Sequence, residues 1–202
     1  MRRILPLLAA VPLWAQPLLP KVAATLPMPD CRIKLSMVVA TPGSIAPPRG
    51  TTGTLELASG NRFRFRAPEL VAVSDGNLMW QWNASTNQVV LRGPSQVDQL
   101  GLPLEILQAA LSGAETKSRR ETLDGKPVQR LELDVSKAPL SRFSRATLWA
   151  KEKGLVPVRL EVEEAEGNTT TWNLLSISKW KPGQADFAYV PPKGAEVVDL
   201  RR

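Results

Sequence analysis

The sequence predicts a mainly β chain: one antiparallel meander long enough to curl, with a single helix between its halves. Three observations predict it. Short segments with period-two alternation recur from Arg32 to Val190. Turn-forming pairs such as Asp75-Gly76, Asp124-Gly125, Lys153-Gly154 and Gly167-Asn168 punctuate them. Only one stretch, Pro103 to Gly113, carries clear helical spacing. With 202 residues, 43% of them hydrophobic, one domain with a substantial core is expected.

In chain order, Arg2 and Arg3 precede an apolar run from Ile4 to Leu13, and Ala15 before Gln16 makes an acceptable cleavage site. Residues 1–15 therefore read as an export leader, with a weaker alternative cleavage after Ala24. Pro6, Pro12, Pro17 and Pro20 cut this region short of the roughly 20 apolar residues that a spanning helix needs, so the exported chain is expected to be soluble. Residues 16–31 are Pro-rich, and Pro17, Pro20, Pro27 and Pro29 argue against a long helix there. The main domain is expected over residues 32–202.

Arg32 to Val39 alternates as a first strand, and Pro42 to Gly50 reads as a loop. The run Gly53 to Asn83 reads as three strands joined by two turns, at Ser59-Gly60-Asn61 and Ser74-Asp75-Gly76-Asn77. Leu55 and Leu57 flank Glu56, Phe63 and Phe65 lie between Arg62, Arg64 and Arg66, and Leu78, Trp80 and Trp82 surround Met79 and Gln81. Alternate residues of a strand face opposite sides, so the Leu, Phe and Trp side chains are expected on one face and the arginines on the other. Gln88 to Arg92 continues the sheet. In the helix, Pro103 suits the first turn, Glu105 its positive end and Gly113 its stop, with Leu104, Leu107 and Leu111 on one face. Further strands are expected near Lys117 to Thr122, Val128 to Val135, Ala146 to Lys151, Val156 to Glu163, Thr169 to Ile177 and Phe187 to Val190.

The residues exclude several chemistries. No histidine is present, so Ser-His-Asp and Cys-His catalysis and a zinc site of His and Cys ligands cannot be assembled. Neither a phosphate loop nor a dinucleotide fingerprint occurs. Glu161, Glu163, Glu164 and Glu166 form the one acidic cluster, which reads as a solvated hairpin edge opposite Val158, Leu160 and Val162 rather than as a carboxylate pair for catalysis or a calcium site. Cys31, the single cysteine, has no intramolecular partner and reads as a half-buried strand residue, because Met28-Pro29-Asp30 lacks the small residues that lipoprotein processing requires. The formal charge of +7, or +5 without Arg2 and Arg3, favours anionic partners without naming one. Nucleic acid is not expected, since alternation sends Phe63 and Phe65 away from the neighbouring arginines rather than beside them.

A Gly-x-Leu strand at Gly53, the aromatic-and-basic strand at Arg62 to Arg66, and Ser74-Asp75-Gly76 followed by Trp80-Gln81-Trp82-Asn83 resemble the LolA family of periplasmic outer-membrane lipoprotein carriers. The ending, from Asp186-Phe187 through Pro191-Pro192-Lys193-Gly194 to Asp199, is similar to that family's closing strand and tail. The resemblance covers Cys31 to the C-terminus. It implies an open, incomplete β-barrel with a short helical lid, whose apolar hollow takes the acyl chains of a lipoprotein or lipid with no catalytic residue, metal or cofactor. The hollow would be lined by Leu55, Leu57, Phe63, Phe65, Leu78, Trp80, Trp82, Leu104, Leu107, Leu111 and Trp172. Arg62, Arg64 and Arg66 would form a docking surface on the other face. It further implies a periplasmic monomer with an inner-membrane donor and an outer-membrane acceptor. Two departures stand out: Ser59-Gly60 occupies the turn where members often carry Arg-Pro, whose arginine is implicated in cargo hand-over, and the Pro-rich start replaces a longer opening helix. Two other readings of the same fold are a lipid-sensing module of envelope stress signalling and a structural envelope protein with a filled core.

Overall fold

The computed structural model describes residues 17–41, 49–93, 103–137, 143–164 and 166–201; the leader and the loop at 42–48 lie outside them. A short helix, α1 (Leu19–Ala23), precedes β1 (Cys31–Ala40), β2 (Arg49–Ala58), β3 (Arg62–Ala67), β4 (Leu70–Asp75), β5 (Met79–Asn83) and β6 (Gln88–Arg92). Helix α2 (Pro103–Ser112) follows, then β7 (Ala114–Leu123), β8 (Lys126–Asp134), β9 (Phe143–Lys151), β10 (Pro157–Glu164) and β11 (Thr169–Lys179). A 3-10 turn (Gln184–Phe187) and β12 (Glu196–Asp199) close the chain. The fold is mainly β, as expected.

All the described strands join one open sheet in the order β12-β6-β5-β4-β3-β2-β1-β11-β10-β9-β8-β7. The first half steps outward from β1 to β6. The chain then passes through α2 to the opposite edge, β7, and steps back until β11 pairs with β1. The last segment returns to the far edge, where β12 runs parallel to β6. That parallel pair corrects the expectation of a purely antiparallel sheet.

Two local readings are corrected as well. The run from Gly53 to Asn83 holds four strands rather than three, because Leu70–Asp75, to which the three-strand reading assigned no strand, pairs with both β3 and β5. Phe187 to Val190, expected to be a strand, is a 3-10 turn followed by unpaired extended chain. The N-terminal prolines permit only five helical residues, with Pro20 in the first turn, where its missing N–H leaves nothing unpaired. Leu19, Val22 and Leu26 are nonetheless buried in the core, so cleavage after Ala24 would strip two of them from it.

The main core takes side chains from β1 to β5, β8 to β11 and both helices. A flat sheet of this breadth could not bring them into one cluster, so the sheet curls around the helices. Gly53 is fixed by that packing: a Cβ there would stand 2.7 Å from the Phe65 ring. At the turns, Gly76 (φ +98°) packs against the backbone of Gly60, and a Cβ there would clash with the Gly60 carbonyl oxygen.

Two outcomes are expected from this packing. Gly53→Ala should displace Phe65 and lower stability by about 1–3 kcal/mol in a denaturant titration. Cys31 is buried without solvent contact, not half-buried as expected, and burial, with Asp30 nearby, pushes its thiol from 9.0 up to about 11. The native thiol should therefore resist iodoacetamide at pH 8 and react only on unfolding. Its contribution to stability is fully present below pH 9 and is lost as the pH rises towards 11, because the unfolded thiol ionises first.

Candidate functional site

The register across the first half of the sheet decides which side chains share a face. One lateral row runs Ile33, Leu55, Phe65, Ala72, Gln81, and the next runs Cys31, Leu57, Phe63, Ser74, Met79. These residues form the inner face, which the helices cover. Across the other half, Leu131, Leu148, Leu160 and Trp172 continue it. Ile106, Leu107 and Ala110 of α2 are buried against this wall, and Leu111 is half-buried beside it. The Leu104 side chain lies outside those described.

Leu55, Leu57, Phe63, Phe65, Leu107, Leu111 and Trp172 are thus brought together in one apolar cluster. Trp172 is the largest buried side chain of this wall, and its indole N–H has no hydrogen-bond partner among the described residues. Toward β6 the wall turns polar, where Arg92 donates to Gln81 at 2.9 Å.

Trp80 and Trp82 are not part of it. Trp80 pairs with Val73 and Trp82 with Val71, which places both on the outer face, while Met79 takes the inner position. The expectation that the Trp and Phe side chains share a face is therefore corrected. Leu78 sits half-buried in the turn before β5, where its N–H is held by the Asp75 carboxylate at 2.8 Å. The outer face accepts tryptophans because the C-terminal segment covers it. Phe187 is buried with Val73 and Ala58, Val71, Trp180 and Tyr189 pack around them, and the Tyr189 ring lies 6.2 Å from that of Trp80.

The same outer face carries the three arginines, but not as a free docking stripe. The row Arg32, Glu56, Arg64, Val73, Trp80 holds a carboxylate, Glu56, with no solvent exposure. Arg32 Nε donates to it at 2.8 Å and Arg64 Nε at 2.6 Å, and Arg66 Nη2 stands 3.5 Å away. Arg64 also donates to the Asp186 carbonyl at 2.8 Å, which ties the C-terminal segment down. Arg62 lies over the Phe187 ring at 5.2 Å and donates to the Ser59 carbonyl at 2.9 Å. Burying one carboxylate among several cations needs this many partners, because an unpaired buried charge is strongly unfavourable. The sequence showed Glu56 only as the polar member of a Leu-Glu-Leu alternation; the signal available was the cation at every second position of the strand beside it.

Further along, the outer face is polar. Arg145 faces Glu163 at 3.5 Å, Thr171 donates to Glu161 at 3.2 Å, and no group of acidic, cysteine or histidine side chains among the described residues is arranged to hold a metal. Of the acidic cluster, Glu163 is thus ion-paired and Glu161 hydrogen-bonded on the outer face of β10, an interior strand of the sheet.

The family described as outer membrane lipoprotein carrier protein LolA matches residues 41–190. The chain is 30% identical over 201 residues to an outer-membrane lipoprotein carrier protein of Bordetella pertussis, covering 96% of this chain and 91% of the relative. It is 29% identical to the same protein of Bordetella bronchiseptica over equal spans. Among solved structures, an uncharacterized conserved protein from Thermus thermophilus has the same fold, with a TM-score of 0.55 at 14% identity, covering 92% of this chain and 97% of that one.

Glu56→Gln should leave Arg64 and Arg32 without their counter-charge and lower stability by about 3–5 kcal/mol. Chemical denaturation followed by tryptophan emission measures it; a loss below about 1 kcal/mol would show that the cluster behaves as an ordinary surface ion pair.

Proposed function

Because the chain belongs to the LolA family of outer membrane lipoprotein carrier proteins, we propose that it binds acyl chains of lipoproteins or lipids between the inner face of its sheet and the two helices, and carries them toward the outer membrane. The observation that carries this reading is the cover over the inner face. Large side chains, Leu55, Leu57, Phe63, Phe65 and Trp172, are shielded by two short helices rather than by a second sheet. Short helices are held by few residues and separate from a wall more readily than paired strands do.

The mechanism is non-covalent. Each methylene removed from water contributes about 0.8 kcal/mol, so a dozen supply roughly 10 kcal/mol before ordering costs. Tight binding alone gives no transport; release requires α2 to lift or an acceptor that binds the chains better. The reading places the protein in the periplasm as a monomer, loaded by an inner-membrane donor and relieved by an outer-membrane acceptor. No helix among the described residues is long and apolar enough to cross a membrane, which accords with a carrier that travels between two. Ser59-Gly60 in the first turn means that hand-over proceeds without an arginine at that position.

Lipid extraction of the purified protein followed by mass spectrometry tests the cargo directly: co-purified acyl lipid supports the carrier, and a folded protein that neither retains nor takes up an acyl probe overturns it. The lid is tested at Leu107, which is only 3% exposed. Leu107→Glu should lower affinity for a fluorescent acyl probe about tenfold, equivalent to 1.4 kcal/mol, while lowering the melting temperature of the delipidated protein only modestly, because a lifted α2 carries the carboxylate into solvent. If α2 is fixed core instead, the buried carboxylate should lower that melting temperature strongly.

A further inference from the structure

A second surface lies outside the helix-covered wall, where the β7–β8 and β9–β10 turns meet β11, although Ile177 of its lining packs against the main core. A groove of about 730 Å3 opens there, within the size range of ligand sites. Its apolar lining includes Leu123, Val158, Leu175 and Ile177. Two of these are placed by irregularities of the sheet. The β1–β11 register passes from Ser176 to Leu174 and skips Leu175; the β9–β10 register passes from Pro157 to Arg159 and skips Val158. Such bulges free a side chain from the ladder and re-aim it. Leu175 is left 61% exposed, although an apolar residue on a strand gains nothing from that position in an isolated protein.

The charges around the groove are equally uneven. Arg159 and Asp124 cancel one another at 3.1 Å. Lys126 and Lys151 also line the groove, and neither ammonium has a carboxylate partner among the described residues. The arginines of β3, by contrast, are consumed by Glu56 and the C-terminal segment. An extruded leucine sharing a groove with two uncompensated lysines is the arrangement of a membrane-surface anchor, with the apolar tip below the headgroups and the ammonium groups at their level. The overall charge of +7 acts in the same direction.

We propose that this end of the sheet docks on the surface of an anionic lipid bilayer, through insertion of Leu175 and contacts of Lys126 and Lys151 with lipid phosphates.

Flotation of the full chain with vesicles of phosphatidylglycerol and phosphatidylcholine, compared with phosphatidylcholine alone, tests it. Binding is expected to the anionic vesicles only and should weaken at about 0.5 M salt. Lys126→Gln with Lys151→Gln should lower the partition coefficient about tenfold or more, and Leu175→Ser about fivefold, both at an unchanged melting temperature. Leu175→Gln repeats the second arm should the serine variant misfold. Lys181→Gln with Lys193→Gln removes equal charge from the exposed C-terminal segment and should change nothing. Equal binding to neutral vesicles, equal loss in that control, undiminished binding by the Leu175 variants, or no vesicle binding at all would overturn the proposal.

Discussion

A carboxylate without solvent contact constrains most of the first half of this fold. Glu56 sits near the C-terminal end of β2, and its charge is compensated only if β1 brings Arg32 and β3 brings Arg64 and Arg66 to the same face. A one-residue slip of either strand would send those guanidinium groups to the opposite side and leave the charge unpaired. The cluster therefore holds the register that places Leu55, Leu57, Phe63 and Phe65 together on the inner face. Through Arg64 and Asp186 it also fixes the C-terminal segment over the outer face. One buried ion cluster thus links the wall that would receive cargo with the segment that seals its back.

Much of the architecture was legible in the sequence because strand alternation and turn chemistry are local signals. β6 falls where the alternation placed it, α2 starts at Pro103 and stops before Gly113, and the hairpin turns after β7 and β9 carry the residues with positive φ that Asp124-Gly125 and Lys153-Gly154 announced. The errors arose where a local pattern has two non-local solutions. Leu70–Asp75 lacks strict alternation because both of its faces are covered, Ala72 by the inner core and Val73 by Phe187, so no strand was read there. Trp80 and Trp82 obey the expected period, yet period alone does not say which face is inner. That is settled by the pairing of Val73 with Trp80 and by the aromatic segment arriving from far downstream in the chain.

The arginines show the same limit from the electrostatic side. Their alternation with Phe63 and Phe65 correctly placed them on the outer face, but their freedom to dock was inferred from charge, whereas each has a partner and only Arg66 among them stays exposed. Glu56 and Phe187 are the partners, and no sequence neighbour advertises the second. Among the described residues, cations without a carboxylate partner lie elsewhere, as Lys126 and Lys151 do at strand ends beside the turns. The Pro-rich start illustrates a milder case: proline limits a helix in length without preventing one, and five residues suffice to bury Leu19 and Val22.

The central claim is that acyl chains occupy the inner face and not the outer one. Tryptophan quenching by a fatty acid brominated along its chain tests it most directly, using two variants of the delipidated protein that each retain one tryptophan, Trp172 or Trp80. An inner-face carrier predicts saturable quenching of Trp172, which lies in the wall, and none of Trp80, which lies beneath Tyr189. Quenching of Trp80 with Trp172 untouched, or of neither in a folded protein, would contradict it.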